Sequence, residues 1–284
     1  MSYKCEMLAD SIATNGKRMT TMLICFSRYV LAEIRTHRVI LEDDEVEMYF
    51  RGMDDAGRLL SMNSASSRAI PISKMIQKIK EDPFIPVFTG AQKGMQGTDE
   101  SENEALQEAA QTLWITARNN AINVAEELLK IGVHKQQCNR LLEPFGWVEL
   151  IVSATEWDNF FDLRTNTQAA PEIYTIACMM QKCMQQSNPT ILDIGEWHLP
   201  LICQEDRDSF SVADLRRISS GRVARVSYLT HLGCPDPTKD MKLHDDLVSN
   251  KHMSPFEHIT TPAPYASFAS GNLLGFTQYR KMLE

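Results

Sequence analysis

A string of small hydroxylated residues near the start of the chain ends in an arginine: SMNSASSR, Ser61 to Arg68. It suits a tight turn that presents backbone N–H groups and hydroxyls to a phosphate. The forked donors of Arg68 match phosphate oxygens. Upstream, RTHR contains His37 and Arg38, whose ring and guanidinium could bind carbonyl and phosphate oxygens. Alone, the first string is an ordinary turn and the second is more typical of a basic surface cluster.

Two further arginines are predicted on helical segments that flank one apolar strand. Arg140 lies in VHKQQCNRLLEPF and Arg164 lies in DNFFDLR. Each could be an ordinary salt-bridge partner. A buried strand between the segments could also bring both guanidiniums to one anion.

Near the end of the chain, HMSPFEH (His252–His258) concentrates two histidines, a serine and a glutamate around Pro255. This composition resembles a metal or acid–base site. The histidine spacing is not the HExxH pattern, and no nearby cysteine or aspartate supports a metal. We therefore predict no structural metal.

Composition narrows the class of ligand. The 284-residue chain is 43% hydrophobic and 23% charged, with a net charge of −8. This acidity argues against a nucleic-acid polymer as ligand, whereas a nucleotide monophosphate needs only two or three arginines. No apolar run approaches the roughly 20 residues of a membrane span. The seven cysteines and the absence of a leader-like N-terminus predict reduced thiols in a cytoplasmic protein.

Predicted elements position these strings. A strand at Met19–Ser27 precedes a helix over RYVLAEIRTHR. The segment ILEDDEVEMYFRGMDDAGRLL (residues 40–60) carries seven acidic and two basic residues and is predicted to be a solvated insert, with a hairpin as one possible form. A polar loop at Thr89–Glu104 precedes a long helix from Ala105 to Ile131, which Gly132 ends.

Further along, a short helix is expected to end at Pro144, followed by a buried strand at WVELIVSAT and helices at EWDNFFDLR and PEIYTIACMMQKCMQQ. The methionines of the last helix are more typical of core packing than of a cofactor site. GEWHLP is predicted to be a structural turn. The segment LRRISSGRVARVSYLT predicts a helix and then the start of a strand, and a further helix follows at Thr238–Asn250. Together these elements predict one α+β domain over residues 1–284, with a central mixed sheet flanked by helices.

These strings resemble the flavin-dependent thymidylate synthase family (ThyX type). Its arginine–histidine–arginine, serine, asparagine, serine, arginine pattern is similar to the first strings, and its histidine–proline–glutamate strand is similar to HMSPFEH. GRVARVSY resembles the family's usual beginning, so residues 211–284 would be a displaced N-terminal part behind residues 1–200, as in a circularly permuted, phage-like branch. The matching positions are His37, Arg38, Ser61, Asn63, Ser66, Arg68, Arg140, Asn159, Arg164 and Glu172.

The resemblance implies a ThyX-like fold and a reductive one-carbon transfer to carbon 5 of dUMP, giving dTMP without an enzyme nucleophile. It implies FAD as the cofactor, NADPH and methylenetetrahydrofolate as co-substrates, and a homotetramer with shared sites. Ser66, Arg164 and His252 would be catalytic, with Arg164 stabilising charge on the pyrimidine. The implied nucleotide ligands are Glu33, Ser64, Ala65, Ser66, Ser67, Arg68, Arg140 and Arg164, and the implied flavin ligands are His37, Arg38, Asn159, Gln168, Ser254 and Glu257.

Some positions depart from the family pattern and leave the substrate open. Thr36, Ser64, Ala69 and Gln168 stand where the family has arginine, glutamate, tyrosine and histidine, and Glu33 replaces a glutamine. We hypothesise that Gln278 and Arg280 replace polar groups lost at Glu33 and Thr36. The alternatives are methylation or hydroxymethylation of dUMP or dCMP to a modified DNA precursor, and an inactive nucleotide-binding member. A cysteine-dependent synthase is disfavoured because Cys234 in GCPDP, the only candidate nucleophile near a proline, lacks an arginine-rich context.

Overall fold

The computed structural model describes residues 2–37, 60–91, 103–228 and 236–284. Nine strands are assigned in these ranges: β1 Lys4–Ala13, β2 Arg18–Ser27, β3 Ser61–Ser64, β4 Trp147–Ala154, β5 Thr190–Leu192, β6 Thr260–Pro262, β7 Ala269–Ser270, β8 Leu273–Leu274 and β9 Phe276–Gln278. The α-helices are α1 Leu31–Arg35, α2 Ile72–Glu81, α3 Glu104–Lys130, α4 Lys135–Arg140, α5 Asp158–Arg164, α6 Pro171–Gln186, α7 Gln204–Ser209, α8 Val212–Tyr228, α9 Pro237–Ser249 and α10 Arg280–Leu283.

The central sheet has the strand order β3-β4-β2-β1-β5. Its first four strands pair antiparallel, and β5 pairs parallel to β1. Two-stranded sheets formed by β6 with β9 and by β7 with β8 complete the assigned pairings. The structure thus confirms the predicted α+β fold with a mixed sheet flanked by helices.

Helices cover both faces of the sheet, because successive residues of its inner strands point to opposite faces and both sets include apolar side chains. Even-numbered residues of β2 and β4, such as Ile24 and Leu150, pack with α5 and α6. Odd-numbered residues, such as Ile151, pack with α8 and the C-terminal segment. Met180 on α6 is 1% exposed within the first cluster, which confirms the predicted core role for a methionine of this helix.

Most predicted elements are present, with three corrections. The short helix α4 ends at Arg140 rather than at Pro144, which lies in the separate 3-10 helix Glu143–Phe145. The segment GRVARVSY is not the start of a strand, because α8 continues unbroken to Tyr228. HMSPFEH is not a strand, because Ser254–His258 forms a 3-10 helix. Gly132 ends α3 with a φ of 89°, as glycine readily permits. Strand β1 is an element that the sequence analysis did not predict.

Two sequence predictions lie mainly outside the described residues. The acidic insert at residues 40–60 is described only at Leu60, and most of the Thr89–Glu104 loop falls at residues 92–102. In the described ranges, none of the helices is long and apolar enough to cross a membrane. Nor do those ranges contain a cluster of three or more potential metal ligands.

Helices α8 and α9 pack closely at Gly221. A Cβ on Gly221 would lie 2.8 Å from the Cα of Asp240, and closer still to the carbonyl oxygen of that residue. Next to this contact, Arg222 Nε and Arg225 Nε donate to the buried Asp240 carboxylate at 3.1 and 2.5 Å. The glycine therefore sets the distance at which these ion pairs form.

We predict that Gly221→Ala destabilises the protein, because the added methyl group has to push α9 away from α8. Overpacking of this kind costs about 1–3 kcal/mol, to be measured as the free energy of unfolding in urea. Gly146→Ala is the matched control, because its Cβ would meet no atom closer than 3.6 Å. Equal stability of the two variants would contradict this account of the helix contact.

Candidate active site

A cavity of about 940 Å³ lies where segments from the beginning, middle and end of the chain meet. We call it the arginine cavity because Arg28, Arg35, Arg68 and Arg140 line it. Its volume is within the range of small-molecule sites. The predicted site residues that line it are Ser64, Ala65, Ser66, Ser67, Arg68, Arg140, His252 and Ser254.

The turn after β3 forms one wall of the cavity. Strand β3 pairs with β4 from Ser61 opposite Ser153 to Ser64 opposite Leu150. The chain then leaves the sheet, and Ser67–Ala69 form a 3-10 helix. The backbone N–H of Ser66 donates to the carbonyl of Ser227 on α8 at 3.1 Å. A helix from the C-terminal part of the chain thus fixes a turn from the N-terminal part.

Helix α4 is attached to the same turn by Asn139. Its buried carboxamide donates to the carbonyl oxygens of Ser67 and Ile70 at 2.8 and 2.9 Å. The next residue, Arg140, lines the cavity. Asn139 therefore determines where the Arg140 guanidinium can reach.

The arginine cavity suits an anion. The side chains of Arg35, Arg68 and Arg140 form no ion pair with any residue in the described ranges, whereas Arg28 lies 3.4 Å from the Glu143 carboxylate. Burial lowers the pKa of Arg28, the charge of Glu143 opposes this shift, and the nearby Arg35 adds to it. Forked guanidinium donors bind phosphate and carboxylate oxygens strongly.

A second group of predicted residues lies elsewhere, around His37. Asn159 Nδ2 is 3.4 Å from His37 Nε2, and the Phe160 ring meets the imidazole edge-on at 5.1 Å. Burial and then the charge of Arg164 lower the pKa of His37 to about 4, so its ring is neutral at pH 7. His37, Asn159 and Arg164 are not among the residues that line the arginine cavity.

Three other predicted ligands, Glu33, Gln168 and Glu257, are also not among the residues that line this cavity. Glu257 pairs with Arg280 at 2.6 Å. Gln168 is exposed, and its backbone N–H donates to Asn166. Glu33 is exposed on α1, and its charge adds to the burial that raises the pKa of Glu172. Arg38 lies outside the described residues.

The hypothesis for Gln278 and Arg280 gains no support from their placement. Gln278 is 1% exposed, and its carboxamide donates to Asn272 at 2.8 Å. Arg280 is engaged by Glu257 and Glu284. Neither residue lines the arginine cavity. The proposed replacement of Glu33 and Thr36 stays a prediction.

A buried network of histidines and hydroxyls ties the Ser254–His258 segment to the sheet. Ser11 Oγ and Thr21 Oγ1 each lie 2.8 Å from a ring nitrogen of His198. Thr21 Oγ1 is 2.6 Å from Ser153 Oγ, which is 2.7 Å from His258 Nδ1. The network crosses β1, β2 and β4, and so fixes the segment whose first residue, Ser254, lines the cavity.

The turn predicted at GEWHLP is present, and it delivers His198 to this network. The Asp193 N–H donates to the Glu196 carboxylate at 2.8 Å, and Gly195 adopts a φ of 95°. Burial lowers the pKa values of His198 and His258 to about 3, so both rings are neutral at pH 7.

Three charged residues that line the cavity, Arg28, Arg35 and Glu143, were not predicted from the sequence. Arg28 and Arg35 lie seven positions apart, which places them on one side of a helix. This spacing was a usable signal. Glu143 carried no signal, because it reaches the cavity only through the 3-10 helix Glu143–Phe145.

Comparisons with known proteins identify a family. The sequence matches the family model described as "Thymidylate synthase complementing protein" over residues 18–190, which is more than half of the chain. The match includes the Ser61–Arg68 string, Arg140 and Arg164, and it ends before His252 and Ser254. A comparison with curated proteins gives no match.

The buried histidines predict a dependence of stability on pH. An unfolded histidine has a pKa near 6.5, so between about pH 6.5 and 3 the unfolded chain binds more protons than the folded one. The free energy of unfolding should therefore fall with falling pH, by about 1.4 kcal/mol per pH unit for each histidine.

His258→Asn should reduce this slope by about one histidine's share, as measured by urea unfolding between pH 6.5 and 4. An Asn carboxamide can keep the bond to Ser153. His134→Asn is the control, because His134 is exposed at the start of α4. A slope in His258→Asn equal to that of the parent protein would contradict the neutral buried ring.

Proposed function

The chain belongs to the thymidylate synthase complementing protein family, and from this premise we propose that it is a flavin-dependent thymidylate synthase. The reaction is the reductive transfer of a one-carbon unit from methylenetetrahydrofolate to carbon 5 of dUMP. The product is dTMP, and NADPH is the reductant. The protein acts in the cytoplasm.

One observation carries this proposal: two strings almost 190 residues apart in sequence line one cavity. Ser66 and Arg68 lie on its wall together with His252 and Ser254. In the family resemblance these strings serve one site. A nucleotide site built from both strings requires them to lie next to each other in the fold, as they do here.

The same meeting supports a circular permutation. The family match ends at residue 190, yet the cavity is completed by α8 and by the segment from His252 to Pro255. We infer that residues 211–284 replace the family's usual N-terminal part and form one catalytic domain with residues 1–200. The hydrogen bond from Ser66 N–H to Ser227 joins the two parts.

The arginine cavity would hold dUMP by its phosphate. Arg35, Arg68 and Arg140 supply guanidinium donors without an ion-pair partner in the described ranges, and Ser66 adds a hydroxyl. The remaining proposed nucleotide ligands on the wall are Ser64, Ala65 and Ser67. Glu33 would contact the nucleotide only if the base reached the exposed face of α1.

FAD would supply the reducing electrons for the transferred carbon when bound. The described residues fit a flavin in part. Ser254 lies on the cavity wall, and the neutral His37 ring with Asn159 offers a polar, partly buried surface. Glu257 would have to share its carboxylate with Arg280. Arg38 and Gln168 complete the proposed set.

The separation of the His37 group from the arginine cavity supports a homotetramer with shared sites. Arg164, which we propose to stabilise charge on the pyrimidine, lies with His37 rather than on this cavity. In an assembly, the His37 group of one subunit would complete the cavity of another. Ser66 and His252 would be the catalytic residues contributed by the cavity itself.

Two alternatives stay open. Ser64 lines the cavity at a position where the family has a glutamate, so the base edge could be read differently. One alternative is therefore that dCMP is the substrate, or that the product carries a hydroxymethyl group instead of a methyl group. An inactive member that only binds nucleotide is the other alternative.

The product assay decides between these functions. The purified protein should be yellow, and it should convert dUMP to dTMP with methylenetetrahydrofolate and NADPH, as measured by mass spectrometry. Arg68→Ala should raise the KM for nucleotide by about 10- to 100-fold, since hydrogen bonds to charged groups contribute about 1.5–3 kcal/mol.

Arg118→Ala is the control for this assay, because Arg118 is a half-buried arginine of α3 that does not line the arginine cavity, and within the described ranges its guanidinium bonds to Asn119. Conversion of dCMP instead of dUMP, or a product heavier by a hydroxymethyl group, would select the first alternative. Neither flavin absorbance nor NADPH oxidation in the parent protein would select the inactive member.

A further inference from the structure

Arg28 and Glu143 hold the turn of Ser64–Arg68 from two sides. Arg28 Nη2 donates to the carbonyl oxygen of Ala65 at 2.7 Å. Glu143 Oε1 accepts a hydrogen bond from the hydroxyl of Ser67. The same oxygen lies 3.4 Å from Arg28 Nη1. The two side chains thus contact the residues immediately before and after Ser66.

The pair is itself fixed by backbone structure. The 3-10 helices Arg28–Val30 and Glu143–Phe145 pack against each other. The N–H of Arg28 donates to the carbonyl of Gly146 at 2.9 Å. The Arg28 side chain is 10% exposed and that of Glu143 is 27% exposed. A partly buried charge pair with fixed backbones can hold a turn at little entropic cost.

Glu143 also sets the charge balance of the site. Within the described ranges it is the only carboxylate that lines the arginine cavity. Its charge offsets that of Arg28, which leaves Arg35, Arg68 and Arg140 as the cations available to a ligand. A role in positioning is therefore compatible with an anionic ligand close by.

We propose that the Arg28–Glu143 pair is a positioning device that fixes the Ser66 and Arg68 turn for nucleotide binding. The identity of the ligand that the turn binds rests on the proposed function. The contacts by which Arg28 and Glu143 fix the turn do not depend on that function. Replacing the Glu143 carboxylate by an amide weakens both its bond from Ser67 and its attraction to Arg28.

The first test needs no ligand. Hydrogen exchange measured by mass spectrometry follows the peptide of residues 60–72, in which the N–H groups of Ser66, Ala69 and Ile70 are hydrogen-bonded. Glu143→Gln and Arg28→Lys should speed exchange there about tenfold, in line with the loss of one charge-assisted bond. Exchange as slow as in the parent protein would overturn the proposal.

Glu156→Gln is the matched control. Its carboxylate pairs with Lys17 at 2.8 Å and is 21% exposed, similar to Glu143, but it does not line the arginine cavity. It should leave exchange in residues 60–72 unchanged. Equal acceleration in this control would show a general loss of stability, and would also overturn the proposal.

The second test is a double-mutant cycle of Glu143→Gln with Arg28→Lys, the two halves of the pair, in the FAD-loaded enzyme. Each single change should raise the KM for dUMP about tenfold, with NADPH oxidation in the absence of nucleotide unchanged. The double variant should be no worse than the poorer single variant, because both changes break one contact. Multiplied effects would indicate a direct ligand contact by Glu143 and overturn the positioning role.

The result that would overturn the proposed function differs from the result that would overturn the positioning role. A parent protein that binds no dUMP would reject the nucleotide site, and the exchange experiment alone would then decide whether the pair holds the turn.

Discussion

The antiparallel pairing of β3 with β4 is the interaction on which the candidate site depends. Strand β4 is almost wholly buried between β2 and β3, so β3 has one register in which its alternate residues face the core. That register ends at Ser64 opposite Leu150. The turn that follows leaves the sheet at the place where α8 and the Ser254–His258 helix pack against β3. The cavity forms at this place.

Electrostatics at the cavity differ from those of the whole chain. The net charge is −8, yet four arginines line one concave surface and a single carboxylate accompanies them among the described lining residues. Low-dielectric walls concentrate such a field. An acidic protein can therefore attract a small anion locally while it repels a nucleic-acid polymer. The neutral buried histidines add no charge of their own to the sheet behind the cavity.

The sequence was sufficient for elements with strong local patterns and insufficient where tertiary packing decides. Strand β2 and helices α3 and α6 follow from their apolar periodicity and breakers. The second half of helix α8 did not, because Ser219, Ser220 and Gly221 have the composition of a helix end, and close packing on α9 overrides that preference. The same limit applies to the site. The strings predicted Ser66 and Arg68, but Glu143 depends on how two 3-10 helices meet.

The most direct measurement of the central claim is a calorimetric titration of the FAD-loaded protein with dUMP and with deoxyuridine. We expect dUMP to bind at least about 100-fold more tightly than deoxyuridine, since several charge-assisted bonds reach the phosphate. This preference should shrink as the salt concentration is raised. Equal affinity for the two compounds would contradict a phosphate site built from Arg35, Arg68 and Arg140.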